Sequence, residues 1–332
     1  MSVCKICGNL ESNMPYVVRE MQFGTRDEYD YFECARCGCL QIAEIPENLS
    51  KFYPANYYSY QEAEPTVSSA KPGVGGIKQR LISRQLTRHY FHKQSVLGNW
   101  LARTSSLSGD YPLWVRQKRL NLGLRLDSQI LDVGCGKGQF LLDLYELGFT
   151  SLLGIDPFLD ADIVYENGVR VLKRQLTELD QQFQFIMLHH SFEHMPDPVG
   201  TLKTLHRLLQ PDCFTLIRIP VAGSYCWRKY GVDWAALDAP RHLFLHTTKS
   251  LKLVASQTGF DIAEIVFDAE GYSHWASEQY RMDIPLMADR SYKVNPSFSH
   301  FTKEEVAAFI ALDAQLNATG EADIAAFYLR PK

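Results

Sequence analysis

The sequence predicts an α/β fold in which a mostly parallel sheet is covered by helices on both faces. Three observations support this prediction. From residue 129 onward, short apolar runs alternate with helical patterns, and the first of these runs ends in a glycine-rich turn. Two closely spaced cysteine pairs near the N-terminus indicate a small module that precedes the sheet.

The apolar runs predict a Rossmann-like sheet of seven strands. They cover residues 129–134, 151–156, 169–172, 183–188, 214–219, 261–267 and 323–330. Helical patterns lie between them at 139–148, 198–210 and 248–260. Residues 271–320 then form a predicted insertion before the last strand.

The chain of 332 residues divides into three predicted parts. Residues 1–45 form the cysteine-closed module, 46–120 a linker and helical segment, and 121–332 the main domain. A balance of 34 basic and 38 acidic residues gives no general attraction to nucleic acid or an anionic membrane. No apolar run reaches the roughly 20 residues of a membrane span. The first residues lack the features of a signal peptide, so we expect a cytoplasmic protein.

The glycine-rich turn follows the first predicted strand of the main domain, in the segment ILDVGCGKG at 130–138. Such a turn between a strand and a helix lets the backbone approach a ligand closely. Gly134, Gly136 and Gly138 are spaced as GxGxG, whereas a dinucleotide fingerprint would need a glycine where Gln139 stands. The spacing favours S-adenosylmethionine, which has no pyrophosphate. Asp156 ends the next strand and is expected to accept both ribose hydroxyls.

Two further motifs extend the pattern: HSFEHMPDP at 190–198 and DAPRHL at 238–243. With the glycine turn, they resemble the class I S-adenosylmethionine-dependent methyltransferases, in particular a bacterial group with HxxEHxPDP and DxPRHL segments. The resemblance covers about residues 128–330. It implies that Asp132 and the three glycines line the methionine part of the cofactor. It also implies that Gln175 and Leu176 border the adenine and that His190 lies near the sulfonium.

Methyl transfer requires alignment of acceptor and methyl group, and removal of a proton when the acceptor is neutral. His190, His194 and His242 lie in motif segments and are the candidate bases. Loops after adjacent parallel strands are expected to meet at one crevice. Two alternatives remain open for these histidines: a purely structural role, and a catalytic metal gathered by histidines of these segments.

Candidate acceptor contacts follow the fifth predicted strand and the linker. They are Trp234, Asp238, Arg241 and, from the tyrosine-rich stretch, Tyr58, whose ring can stack on a sugar or base. Asp238 and Arg241 can instead pair with each other and shape their loop. The tyrosines can instead pack the two domains together.

The paired cysteines form C-x2-C-x26-C-x2-C with Cys4, Cys7, Cys34 and Cys37. Four thiolates at this spacing can complete a tetrahedral shell, which predicts a structural zinc ion. Some methyltransferases of sugar-nucleotide and glycan pathways similarly begin with such a module and a tyrosine-rich segment.

The leading functional hypothesis is therefore methyl transfer to a small-molecule or glycan acceptor, with a nucleotide-linked sugar as one candidate. One alternative is an rRNA or tRNA methyltransferase with a zinc module. The acidic net charge and the acidic N-terminal module argue against a nucleic-acid partner. Another alternative is a non-catalytic cofactor-binding protein, and the sequence does not identify the acceptor.

Overall fold

A computed structural model describes residues 2–53, 60–64, 74–91, 95–116, 120–298 and 300–332 of the chain. The chain forms two compact units. The first comprises Met1–Pro54, His189–His206 and Leu216–Lys332, and the second comprises Ala55–Leu188 and Arg207–Thr215. The division of the chain after residues 45 and 120 stays a prediction. Among the described residues, no helix has the length and apolar content needed to cross a membrane.

Strands occur from the N-terminal segment to the last residues. They are β1 Met14–Arg19, β2 Glu28–Glu33, β3 Leu40–Ile42, β4 Ile130–Val133, β5 Leu152–Ile155, β6 Ile163–Val164, β7 Arg170–Leu172, β8 Phe183–His189, β9 Leu209–Pro220, β10 Phe244–Leu245, β11 Phe260–Phe267 and β12 Ile324–Pro331.

The helices lie between these strands. They are α1 Val74–Phe91, α2 Val96–Thr104, α3 Leu113–Arg116, α4 Gln139–Glu146, α5 Pro198–Leu208, α6 Tyr225–Tyr230, α7 Thr248–Gln257, α8 Tyr272–Arg281 and α9 Lys303–Thr319. Helices α8 and α9 fall within residues 271–320, where the sequence predicts an insertion.

The main sheet has eight strands in the order β11-β12-β9-β8-β4-β5-β7-β6. Strand β4 runs parallel to β5 and β8, and β5 runs parallel to β7, as the alternation of strands and helices predicts. All seven predicted strands are present, but the predicted count is too low by one. The two-residue strand β6 adds antiparallel to β7, and so short a strand leaves no periodic pattern in the sequence.

The fifth predicted strand begins earlier than expected. Helix α5 ends at Leu208 and β9 starts at Leu209, whereas the sequence predicts a helix to residue 210 and a strand only from residue 214. Asp212 does adopt a left-handed backbone with φ 60°, so the irregularity lies inside the strand.

The second unit has its core beneath β4 and β8. Ile130 and Leu131 are fully buried, and the Trp114 ring packs against Phe149 and Phe185 with centroid separations of 5.8 and 5.0 Å. These contacts fix the position of β4, the strand that leads into the glycine-rich turn.

The first unit contains a four-stranded sheet in the order β1-β2-β3-β10. Strand β10 follows the DAPRHL segment directly and pairs antiparallel with β3, with Phe244 opposite Gln41. The N-terminal strands and the end of the DAPRHL segment therefore share one sheet. A pairing this short could not be predicted from sequence periodicity.

Candidate functional site

The glycine-rich turn joins β4 to α4 in the second unit. Gly134, Gly136 and Gly138 have φ values of 75°, 54° and 86°, a left-handed backbone that side chains disfavour. A Cβ atom at Gly138 would also lie 2.6 Å from Cγ2 of Val171. The GxGxG spacing is thus required by the backbone path itself.

Asp156 follows β5 and contacts this turn. The backbone N–H of Gly136 donates to Oδ2 at 3.0 Å, and that of Phe158 donates to Oδ1 at 2.9 Å. Burial raises the pKa of Asp156, while these two amides act in the opposite direction. Each carboxylate oxygen can accept a further hydrogen bond, which is what a pair of ribose hydroxyls would need.

Asp132 lies on β4 and is only 3% exposed. Burial and the nearby charge of Asp156 raise its pKa to about 7. The protonated form of this carboxyl group can donate as well as accept a hydrogen bond.

The predicted adenine border lies after β7. Gln175 is exposed and Leu176 is half-buried, at the start of a 3-10 turn over Leu176–Glu178. The backbone N–H of Gln175 donates to Glu178 at 2.6 Å, which holds this turn. Their cofactor contacts stay a prediction.

His190 follows β8 and has a left-handed backbone with φ 50°. Its Nε2 is within hydrogen-bond distance of Nη1 of Arg218, and its Nδ1 lies 3.4 Å from Oε1 of Glu193. A guanidinium group only donates, so Nε2 of His190 must accept and Nδ1 carries the proton. With both nitrogens engaged, His190 is the least suited of the three histidines to act as a base.

His194 and His242 share one arrangement in the first unit. Nδ1 of His194 lies 2.8 Å from the carbonyl oxygen of Arg241, and Nδ1 of His242 lies 2.7 Å from that of Ala236. A carbonyl only accepts, so both rings carry a proton on Nδ1, and the neutral form of each ring has its lone pair on Nε2. Burial and the charge of His242 lower the pKa of His194 to about 4, which keeps its ring neutral.

Glu193 lies between these rings and was not singled out from the sequence. Its side chain is fully buried, and Oε1 lies 3.9 Å from Nε2 of His242. Burial alone would raise its pKa, but interactions with His190, His194 and His242 outweigh burial and lower the pKa to about 2. The EH pair in HSFEHMPDP was the available signal, because glutamate beside a motif histidine is rarely buried without a partner group.

The DAPRHL loop is held by a buried ion cluster. Arg241 donates to Asp238 at 2.6 and 2.9 Å and to Glu20 at 2.8 Å. Trp234 is 1% exposed and its indole N–H donates to Asp323 at 2.7 Å. These contacts favour the loop-shaping alternative for Asp238 and Arg241, and acceptor contacts from Trp234, Asp238 and Arg241 stay a prediction.

The tyrosine-rich stretch is described only at its ends, and Tyr58 lies outside the described residues. Tyr53 is described, and its hydroxyl lies 2.9 Å from Nδ1 of His194. The N-terminal segment thus reaches one of the motif histidines directly.

The four predicted metal-binding cysteines come together in the first unit. All four sulfur atoms lie within 4.8 Å of one another, with 3.6 Å between Cys4 and Cys37 and 3.5 Å between Cys7 and Cys34. The backbone N–H groups of Gly8 and Gly38 close the two turns onto the carbonyl oxygens of Cys4 and Cys34.

The surroundings of the sulfur atoms suit thiolate ligands. The amide Nε2 of Gln41 donates to Cys4 Sγ at 3.2 Å, and the contact between Cys4 and Cys37 lowers the pKa of the Cys4 thiol while it raises that of Cys37. The donor set fits a tetrahedral zinc ion.

The glycine-rich turn with Asp132 and Asp156 belongs to the second unit, whereas Glu193 and the three histidines belong to the first. The predicted cofactor residues and the candidate bases therefore lie in different units, and their roles stay a prediction. That their loops meet over the methyl group stays a prediction.

Known proteins support the resemblance read from the motifs. A family described as a methyltransferase domain matches residues 110–265. The chain is 35% identical over 160 residues to a tRNA U34 carboxymethyltransferase of Aliarcobacter butzleri, covering 42% of this chain and 49% of that protein. It is 32% identical over 172 residues to a ubiquinone biosynthesis O-methyltransferase of Pseudomonas fluorescens, covering 46% of this chain and 71% of that one.

Among solved structures, the cyclopropane synthase MmaA2 of Mycobacterium tuberculosis aligns with 75% of this chain and 93% of its own, at 15% identity and a TM-score of 0.40. The chain spans about half the length of the carboxymethyltransferase and more than two thirds of the O-methyltransferase. One relative is named for tRNA, so the expected exclusion of nucleic acid stays a prediction. On the family match and the sequence relatives, the chain belongs to the class I S-adenosylmethionine-dependent methyltransferases.

Proposed function

We propose that this protein transfers a methyl group from S-adenosylmethionine to a small-molecule or glycan acceptor. The hydrogen bond from the Gly136 amide to Asp156 carries this proposal, because it joins the glycine-rich turn to the acidic residue expected at the ribose. A turn of three left-handed glycines offers backbone N–H groups and close approach to a ligand. Membership of the methyltransferase family makes S-adenosylmethionine the ligand to test first.

The cofactor, when bound, supplies a methyl group already activated on a sulfonium. Asp156 accepts the ribose hydroxyls in this proposal, and Asp132 with the three glycines holds the methionine part. Gln175 and Leu176 border the adenine. In a folded chain the turn is preformed by backbone conformation, so little further ordering is needed on binding.

His194 or His242 is the proposed base. Each ring has its Nδ1 proton committed to a backbone carbonyl, so Nε2 is the atom that can take the acceptor's proton. As the acceptor oxygen forms its bond to the methyl carbon, the carbon–sulfur bond breaks with its electron pair on sulfur. The hydroxyl proton moves to Nε2, and S-adenosylhomocysteine is the product.

An oxygen atom is the acceptor favoured here, since one relative is named as an O-methyltransferase. A nucleotide-linked sugar is the candidate among glycans. The second candidate is a tRNA nucleoside, which is favoured by one observation, the relative named as a tRNA U34 carboxymethyltransferase.

We further propose that Cys4, Cys7, Cys34 and Cys37 bind one structural zinc ion. Four sulfur ligands close a tetrahedral shell and leave no position for a substrate. The ion stabilises the first unit, where the cysteine turns join the sheet that contains β10.

The test is methyl transfer from labelled S-adenosylmethionine by the purified 332-residue chain. The acceptor panel contains sugar nucleotides, phenolic small molecules and bulk tRNA. Label in a small molecule supports the leading proposal, and label in tRNA replaces it with the second candidate. If the protein binds the cofactor by calorimetry but labels nothing in the panel or in a cell extract, a non-catalytic binding role becomes the better account.

With an acceptor in hand, His194→Ala and His242→Ala test the base. Loss of a general base lowers turnover by about 100- to 10,000-fold and leaves cofactor affinity unchanged. His206→Gln, which removes a histidine of α5 outside the cluster, is the control. Near-normal turnover per folded molecule in both alanine variants would contradict the assignment of the base.

A further inference from the structure

We infer that Glu193, His194 and His242 form a binding site for a divalent transition-metal ion, distinct from the four-cysteine cluster. One ligand atom from each of the three residues can be chosen so that all lie within 4.8 Å of one another. Two imidazole nitrogens with one carboxylate oxygen is a donor set that first-row metals accept in proteins.

The orientation of the two rings is that of metal-bound histidine. A ligating imidazole presents the lone pair of one nitrogen to the ion and donates its other ring N–H to a fixed acceptor. His194 donates Nδ1–H to the Arg241 carbonyl at 2.8 Å, and His242 donates Nδ1–H to the Ala236 carbonyl at 2.7 Å. In their neutral form, both rings therefore present the lone pair of Nε2 in a direction set by the backbone.

Glu193 supplies the independent observation. Its side chain is fully buried; Oε1 lies 3.4 Å from Nδ1 of His190, and among the described residues Oε2 has no hydrogen-bond partner. A buried carboxylate with one oxygen left without a donor is costly, because the charge has lost its hydration there. Its Oε1 lies 3.9 Å from Nε2 of His242, so an ion between them would draw the ligands together by about 0.5 Å to reach tetrahedral spacing.

The charges around the cluster also favour a cation. Two guanidinium groups, those of Arg218 and Arg241, are paired with Asp268, Asp238 and Glu20. Both arginines are therefore already matched by carboxylates, and Glu193 adds a further buried carboxylate beside the imidazole rings of His190 and His242. A divalent ion bound by Glu193 would neutralise this excess.

Three protein ligands leave at least one coordination position open, unlike the closed four-cysteine shell. An ion there could coordinate an acceptor oxygen and lower the pKa of its hydroxyl. With an ion bound, Nε2 of His194 and of His242 would be occupied. The ion would then promote loss of the acceptor's proton in place of these two bases. The inference thus concerns the same residues as the proposed base, but the presence of the ion is measured without any acceptor.

The experiment measures the zinc content of the protein by mass spectrometry. Before the measurement, the protein is loaded with zinc and loosely bound metal is removed. We expect about two ions per chain in the wild type and about one in Glu193→Gln and in His242→Ala. Glu270→Gln, an exposed carboxylate, and His206→Gln are matched controls that keep both ions. Cys4→Ser should lose the other ion and retain the one at Glu193.

A second measurement separates the site from a folding defect. Mn²⁺ prefers oxygen and nitrogen ligands to thiolates. It is titrated into protein from which the loaded zinc has been removed, and the electron paramagnetic resonance spectrum of Mn²⁺ is recorded to follow binding. Wild type and Cys4→Ser should bind it, and Glu193→Gln with an unchanged circular dichroism spectrum should bind at least tenfold more weakly. One zinc ion in the wild type that disappears with Cys4→Ser, or two ions retained in Glu193→Gln, overturns the inference whatever the outcome of the methyl-transfer assay.

Discussion

Arg241 and Glu20 are 221 residues apart in the chain, yet Nη2 of Arg241 lies 2.8 Å from Oε1 of Glu20. The two side chains are only 1% and 2% exposed. Glu20 also accepts the backbone N–H groups of Phe23, Gly24 and Thr25, which fixes the turn between β1 and β2. The turn of the N-terminal sheet and the DAPRHL loop are therefore anchored to one buried charge cluster.

This pairing leads to a prediction about stability. Arg241→Met removes the guanidinium group that offsets Glu20 and Asp238, and leaves two carboxylates buried. Breaking a buried ion pair from one side costs about 3–5 kcal/mol of the free energy of unfolding. Urea unfolding followed by circular dichroism measures this loss.

Arg125→Met is the matched control, because Arg125 pairs with Asp127 on the surface, where the side chains are 75% and 65% exposed. An exposed pair contributes about 1 kcal/mol or less. Similar losses in the two variants would mean that the Arg241 cluster is not a stabilising anchor.

The contrast between these pairs shows what the sequence could and could not predict. The glycine turn, Asp156 and seven strands of the main sheet leave local signals: a short apolar run, a GxGxG spacing, an acid at a strand end. The Glu20–Arg241 pair leaves none, because it depends on packing between segments far apart in the chain.

Glu193 shows the same limit within a recognised motif. Its neighbours His190 and His194 were singled out by their positions after a strand, but the burial of Glu193 follows from tertiary packing alone. Likewise, the choice of His190 as a candidate base did not anticipate its contact with Arg218, which comes from a different strand. A motif gives residue types in order and leaves the contacts of each side chain undetermined.

Asp156 provides a second prediction, for cofactor affinity. Asp156→Asn replaces one acceptor oxygen by an NH₂ group, which only donates. This NH₂ group would face a backbone amide that now donates to Asp156, or it would fail to accept a ribose hydroxyl. Hydrogen bonds to a charged group are worth about 1–3 kcal/mol, so the dissociation constant for S-adenosylhomocysteine should rise about 5- to 150-fold.

Calorimetry measures this change, and Asp180→Asn is the control because the Asp180 side chain is 99% exposed. The thermal midpoint of each variant is recorded with it, since Asp156 also holds the glycine turn. Unchanged affinity in a stably folded Asp156→Asn protein would remove this residue from the cofactor site.

The cysteine cluster gives a third prediction. Cys4→Ser takes away one of four sulfur ligands, so this site should lose its zinc and the first unit should become less stable. Cys213→Ser, a half-buried cysteine outside the cluster, should keep the metal. The measurements are zinc content and the rate of limited proteolysis within residues 2–45. Full zinc content in Cys4→Ser protein would show that the cluster does not ligate the ion.

A fourth prediction concerns acid stability through His246. Burial lowers the pKa of His246 to about 4, although the charge of Glu193 acts to raise it. As the pH falls, the unfolded chain therefore binds a proton at this residue near pH 6.5, whereas the folded chain binds one only near pH 4. The stability that the neutral ring contributes is complete above pH 6.5 and is lost as the pH falls from 6.5 towards 4.

His246→Gln tests this sign. Glutamine can keep a hydrogen bond to Ser250, the partner of His246 Nδ1 at 3.1 Å, and it gains no proton. The free energy of unfolding should then fall less between pH 7 and pH 5 in the variant, by about 1 kcal/mol or more, because one unit of pKa is about 1.4 kcal/mol. Each protein's own value at pH 7 serves as its baseline. Parallel pH curves for the two proteins would show that His246 titrates alike in both states.

The last prediction links the N-terminal sheet to the candidate base. The Tyr31 hydroxyl on β2 donates to the carbonyl oxygen of His242 at 2.8 Å, and the Tyr31 side chain is 1% exposed. Tyr31→Phe keeps the ring and removes this donor, which leaves a buried carbonyl without it. We expect a loss of about 1–3 kcal/mol in stability. We also expect lower turnover of the folded protein, since the backbone of His242 is no longer held at this point.

Tyr16→Phe is the control, because the Tyr16 hydroxyl donates to Glu33 at 3.3 Å within the same sheet and does not contact the DAPRHL loop. Its stability and turnover should stay close to wild type. Cofactor affinity should be unchanged in both variants, because the glycine turn and Asp156 belong to the other unit. A Tyr31→Phe protein that loses stability but keeps full turnover would mean that the N-terminal sheet supports the fold without positioning His242.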